Sequence, residues 1–126
     1  MIRTILSINE EEQSMTFAGN VPEGFSAQLM KRNPERLIEG AGEAANISLK
    51  DLGAEDPDLA ILVSCVGRKI VMGQNIDEEV EEVKNKMGVD TVISGFYSYG
   101  EIGPKNNKYD CELHNQTLAI TTFKEN

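Results

Sequence analysis

The stretch Leu59-Ala-Ile-Leu-Val-Ser-Cys65 constrains this chain more than any other. It is apolar almost throughout, the pattern of a central strand covered on both faces rather than of a half-exposed one. Such a strand needs neighbours on either side and helices or further sheet above and below it. The remaining sequence has to supply them.

It offers candidates in order. Residues 3–8 are β-branched and apolar and read as a first strand, followed by a polar turn over residues 9–13. Residues 14–18 alternate apolar and polar side chains, the period of a half-buried strand. After Pro22-Glu-Gly24, a third alternation sets Phe25, Ala27 and Leu29 on one face and Ser26, Gln28 and Met30 on the other. Short polar connections between such strands favour an antiparallel meander.

Asn33-Pro34 signals a helix start, with Asn as N-cap, Pro at the first helical position and Glu35 against the positive helix end. Leu37, Ile38, Ala41, Ala44 and Ala45 recur at helical spacing through about Ser48. Gly40 and Gly42 each weaken that helix by about 1 kcal/mol relative to Ala, which points to close packing against the sheet. A second helix is expected over residues 77–87, with Ile76, Val80, Val83 and Met87 on one face. Its first turns are acidic, Lys84 and Lys86 lie in its last turn, and Gly88 follows, all in accord with the helix dipole. The acidic run at 77–82 reads as a solvated face.

Residues 70–72 read as an apolar turn, 91–97 as a strand, and 105–108 as a polar hairpin. Residues 117–123 form a last strand, with Leu118, Ile120 and Thr122 on one side. The expected order is β-β-β-α-β-α-β-β. That is an α+β fold with a mostly antiparallel sheet of about five to six strands and two main helices. At 126 residues the chain suits a single domain spanning 1–126.

A net charge of −9 argues against nucleic acid as a partner, because a phosphate backbone would be repelled. The apolar run 59–63 is far short of a membrane span of about 20 residues. No secretory signal is visible at the start, and two cysteines, Cys65 and Cys111, fit a reducing cytosol. A cytoplasmic location is expected.

The chemistry-bearing residues gather in three polar islands beside strand ends: residues 64–68, 97–101 and 111–117. The middle one lies within Gly95-Phe-Tyr-Ser-Tyr-Gly-Glu-Ile-Gly-Pro104, where Gly100 and Gly103-Pro104 are expected to break regular structure. Arg68 could fork onto a ligand carboxylate, Glu101 could accept from an ammonium, and Tyr97 and Tyr99 could wall the apolar part. His114 and Asn115 complete the candidate site. The alternative is internal: Arg68 pairs with Glu101, while His114 and Asn115 tie the loop down. Phe96, on the opposite face, is expected in the core. Cys65, His114 and Asn115 stand in the order of a thiol hydrolase, but His and Asn adjacent on a strand point to opposite faces. No metal-ligand spacing and no phosphate fingerprint is present, so neither metal nor cofactor is expected.

Ser64-Cys-Val-Gly-Arg68, the decapeptide 95–104 and Cys111-Glu-Leu-His-Asn-Gln-Thr117, in that order and spacing, resemble the C-terminal FIST domain (F-box and intracellular signal transduction). Phe17-Ala-Gly-Asn-Val-Pro22 and Asn33-Pro-Glu-Arg36 match it in character, so the resemblance covers nearly the whole chain. It implies a bacterial, cytoplasmic input module that binds a small ligand, an amino acid or small carboxylate, and feeds an effector such as a two-component sensor histidine kinase. It implies no catalytic activity in this segment, and a parent protein carrying an N-terminal FIST half and an effector domain that this chain lacks. A homodimer is compatible with it. A non-catalytic interaction module is the other reading, with a thiol hydrolase using Cys65 and His114 a distant third.

Overall fold

The computed structural model describes residues 1–31, 33–53, 56–104 and 111–125. Strands β1 (Ile5–Asn9) and β2 (Ser14–Phe17) form an antiparallel hairpin. Asn9 closes its turn by accepting the Glu11 and Glu12 amides on its side chain, and Gln13 takes a left-handed φ of 53°. Helix α1 (Pro34–Asp51) begins as the sequence dictates: the Asn33 side chain accepts from the Arg36 amide, and Pro34 opens the first turn.

The expected central strand, β3 (Leu59–Cys65), sits between β4 (Val92–Ser98) and β7 (Leu118–Phe123). It runs parallel to β4 and antiparallel to β7. The crossover from β3 to β4 carries two helices, α2 (Val66–Met72) and α3 (Ile76–Met87), joined by a 3-10 turn at Gly73–Asn75. A second hairpin pairs β5 (Glu101–Pro104) with β6 (Cys111–His114).

The α+β class and the predominance of antiparallel pairing are as expected. The strands, however, divide into ladders of two, three and two rather than one sheet. Residues 25–30 form no strand, so their alternation is that of a strand without a partner. Gly103-Pro104 forms the last two residues of β5, and α2 replaces the expected apolar turn. The expected hairpin at 105–108 lies outside the described residues.

The core forms where α1 and α3 cover one face of the three-stranded sheet. Ala41 and Ala45 of α1, Ala60 and Leu62 of β3, and Val83 and Met87 of α3 are buried together. Leu118 and Ile120 pack against them, and Thr122 on the same face shares a 2.8 Å hydrogen bond with Ser48 of α1. Gly42 earns its place through helix–helix contact: a Cβ there would lie 2.6 Å from Glu82 Oε1 on α3. Gly40 meets nothing comparable, so close approach to the sheet explains neither glycine.

Among the described residues, no layer covers the other face of the same sheet. Register places Leu59, Val92 and Phe123 in one row, Ile61, Ser94 and Thr121 in the next, and Val63, Phe96 and Ala119 in a third. Phe96 is 62% exposed rather than in the core, because β4 is an edge strand and its outward face carries no layer among the described residues. The expectation of cover on both faces of β3 holds for one.

Candidate functional site

Parallel pairing brings the carboxyl ends of β3 and β4 to one edge of the sheet, so Ser64 lies in register with Tyr97 and Cys65 with Ser98. In α/β sheets that edge is where polar groups and ligands collect. Two buried polar networks form around it.

The first is built on Arg68 of α2, which is 5% exposed. Its Nε donates to Glu79 Oε1 at 2.6 Å, its Nη2 to the Leu37 carbonyl at 2.7 Å, and its Nη1 to the Gln116 carbonyl at 3.3 Å. Glu79, 1% exposed, also accepts from Ser64 Oγ on its second oxygen. Arg68 therefore pairs with Glu79, not Glu101, and its guanidinium faces inward across α1, α3 and the turn before β7. Glu79 lay unrecognised in the acidic run. The buried stripe of α3 is Glu79, Val83 and Met87, with Ile76 half-buried beside it, while Val80, assigned to that face from its spacing, is 41% exposed.

The second network centres on Glu101, 4% exposed at the start of β5. Ser98 Oγ and Thr117 Oγ1 each donate to one of its carboxyl oxygens at 2.6 Å. It thus clamps the turn at Tyr99 and Gly100 and ties it to the segment before β7. His114 Nε2 lies 3.2 Å from the Gly103 carbonyl. Asn115, 1% exposed, accepts the Thr4 amide on Oδ1 and donates to the His114 carbonyl, joining this corner to the chain's first residues. Among the described residues, no buried side-chain polar atom lacks a partner.

Two of the candidate residues keep part of their surface in solvent. Tyr99 is 91% exposed at the tip of the turn. Tyr97 lies on the helix-covered side of β4 with Lys69 Nζ 4.9 Å from its ring centroid, a cation–π contact. Burial, then the carboxylates of Glu79 and Asp77, push its phenol above the ordinary value of about 10, against the opposing pull of Arg68.

Tyr97 borders a cavity of about 230 Å³ between α3 and the β4 edge. Leu62, Val80 and Ile93 give it apolar walls, and Ser64 and Glu79 form its polar end. The cavity is smaller than the usual drug-sized pocket and suits a ligand of a few heavy atoms. Cys65 is buried at the end of β3 and Cys111 is exposed on β6. No cluster of three metal-ligating side chains occurs among the described residues, and none of their helices is long and apolar enough to cross a membrane.

The family model of the FIST C domain matches residues 1–104. The match ends before the island at 111–117, so His114, Asn115 and Thr117 lie outside it, and the resemblance is narrower than the motifs suggested. No curated protein and no solved structure matches the chain.

Proposed function

The chain belongs to the FIST C domain family, a family of signal transduction domains, and we propose that it is a non-catalytic sensing domain for a small zwitterionic ligand, an apolar amino acid being the favoured class. The cavity at the β4 edge carries this reading. Its Glu79 end accepts an ammonium, its Leu62, Val80 and Ile93 walls take an aliphatic side chain, and Lys69 at the Tyr97 rim offers a cation to a carboxylate. Arg68 then acts through Glu79, holding the carboxylate in place rather than meeting the ligand. In a longer signalling protein, a sensor histidine kinase for example, occupation of this cavity would reach the effector by moving α3 against β4.

The test is a thermal-shift screen of the chain against the common amino acids and small carboxylates. A true ligand raises the melting midpoint saturably, with about 2.7 kcal/mol of stabilisation at a hundredfold excess over its Kd. Lys69→Ala, at an exposed position, should weaken a carboxylate ligand about tenfold while leaving the free protein's melt unchanged. A flat screen, or a ligand indifferent to Lys69→Ala, overturns this assignment.

A second reading has its own support. Arg68, Glu101, His114 and Asn115 all make hydrogen bonds within the chain, as they would in an interaction module whose polar islands are structural.

A further inference from the structure

Among the described residues, two of the exposed apolar features concern the three-stranded sheet and the connection that leads into α1. One is the open sheet face, where Val92 and Phe96 are each 62% and Phe123 49% exposed around the half-buried Leu59, Ile61 and Val63. The other is the connection between β2 and α1, where Phe25, Leu29 and Met30 are each more than three-quarters exposed. Connections of this length without secondary structure are uncommon in compact domains and are usually functional.

Surface area sets the scale of what is uncovered. The chain exposes 9460 Å², whereas a compact monomer of its mass exposes about 6,700 Å². The excess of roughly 2,800 Å² is well above the ~800 Å² that each partner buries in a standard interface.

Charge favours a partner of the same kind. The chain carries −9, yet the nine side chains in the three rows of the open face are all uncharged. Residues 21–31 hold one acid, Glu23, and one base, Lys31. These two surfaces are where copies of an acidic chain can meet without mutual repulsion. The segment at 25–30 has the alternation of a strand, and among the described residues β4 and β7 are each paired on one side only, beside the open face. One chain therefore holds both halves of a complementary pair, the condition for an isologous two-fold contact.

We propose that two copies of this chain associate about a two-fold axis, each laying residues 25–30 on the open face of the other's three-stranded sheet. The Phe25 and Leu29 side chains meet the apolar rows around Val63 and Phe96, and the segment's backbone takes up strand geometry along the adjoining sheet edge on docking.

Sedimentation of the full chain at about 0.1 mM, where any tighter Kd is populated, should give twice the 13.9 kDa monomer mass. Phe25→Asp with Leu29→Asp, and separately Phe96→Asp, should each yield folded monomers whose melt matches that of the parent diluted until it is monomeric, since all three residues are exposed in the single chain. Mixing the two variants should recover a dimer, because the intact segment of one fits the intact face of the other. Independently, Leu29→Cys and Phe96→Cys chains in a Cys111→Ser background should cross-link between chains on mild oxidation. A monomeric parent at that concentration overturns the proposal. So does a segment variant that stays dimeric while Phe96→Asp does not, which would indicate sheet-on-sheet packing. Polydisperse aggregation in place of a dimer overturns it too.

Discussion

Replacing Glu79 by Gln keeps the side chain's volume and removes its charge, which isolates the contribution of the buried pair. In the variant, Arg68 remains at 5% exposure with two backbone carbonyls as partners and no counter-charge. Breaking a buried pair from one side costs about 3–5 kcal/mol, because the surviving ion cannot recover its hydration. Against a typical total of about 5–15 kcal/mol, that is a large share of the fold's stability. For a domain of this size each kcal/mol moves the midpoint by about 3–5 °C, so the melt should fall by about 10–20 °C. Urea unfolding followed by circular dichroism gives the free energy directly, with an unchanged slope showing that the same surface is exposed. The double replacement Arg68→Met with Glu79→Leu removes both charges and should return to within about 2 kcal/mol of the parent. The reasoning fails if Glu79→Gln costs less than about 1 kcal/mol, or if the double variant is as damaged as the single one.

Two further outcomes follow from β4. A Cβ at Gly95 would run into the Leu62 carbonyl oxygen across the ladder, and backbone cannot rotate aside as a side-chain tip can. Gly95→Ala should therefore cost about 2–3 kcal/mol in urea unfolding, and a neutral result would show that β4 is free to shift. At Tyr97 the folded state holds the phenolic proton more tightly than the unfolded chain does. Its contribution is full below pH about 10 and is lost as pH climbs through the raised native value. The phenolate absorbance missing from Tyr97→Phe should accordingly develop above pH 10, and stability should fall less steeply there in the variant. A difference signal complete by pH 10 would contradict the assigned burial.

Much of this architecture is legible in local sequence. Asn33-Pro34 fixes the start of α1 because capping and proline geometry are satisfied within four residues. The unbroken apolar run places β3 at the centre of its sheet. What escapes a local reading is whatever depends on distant partners. Phe25 to Met30 has a strand's alternation, but a strand needs an edge to pair with, and this segment is paired with none of the described strands. Phe96 is apolar and β-favouring, yet its exposure depends on whether a layer covers that side of β4. Glu79 is hidden by its company, since five of the six residues from Asp77 to Glu82 are acidic. The available signal was Arg68, which with the exposed Lys69 is one of two cations in the otherwise apolar α2 and needed a buried carboxylate. Glu79, three residues after Ile76 and four before Val83, was spaced to provide it.

Arg68 joins partners that lie 11, 31 and 48 residues away along the chain. Each of those loops must be closed before the guanidinium has anything to hold, and closure entropy falls due ahead of the reward. The junction therefore belongs to the last stages of assembly. Its strength acts on how rarely the native molecule opens, and hardly on how fast it forms. A domain tied this way can be slow to come apart even where its equilibrium stability is modest, and a stopped-flow unfolding rate is where the loss of Arg68 would register.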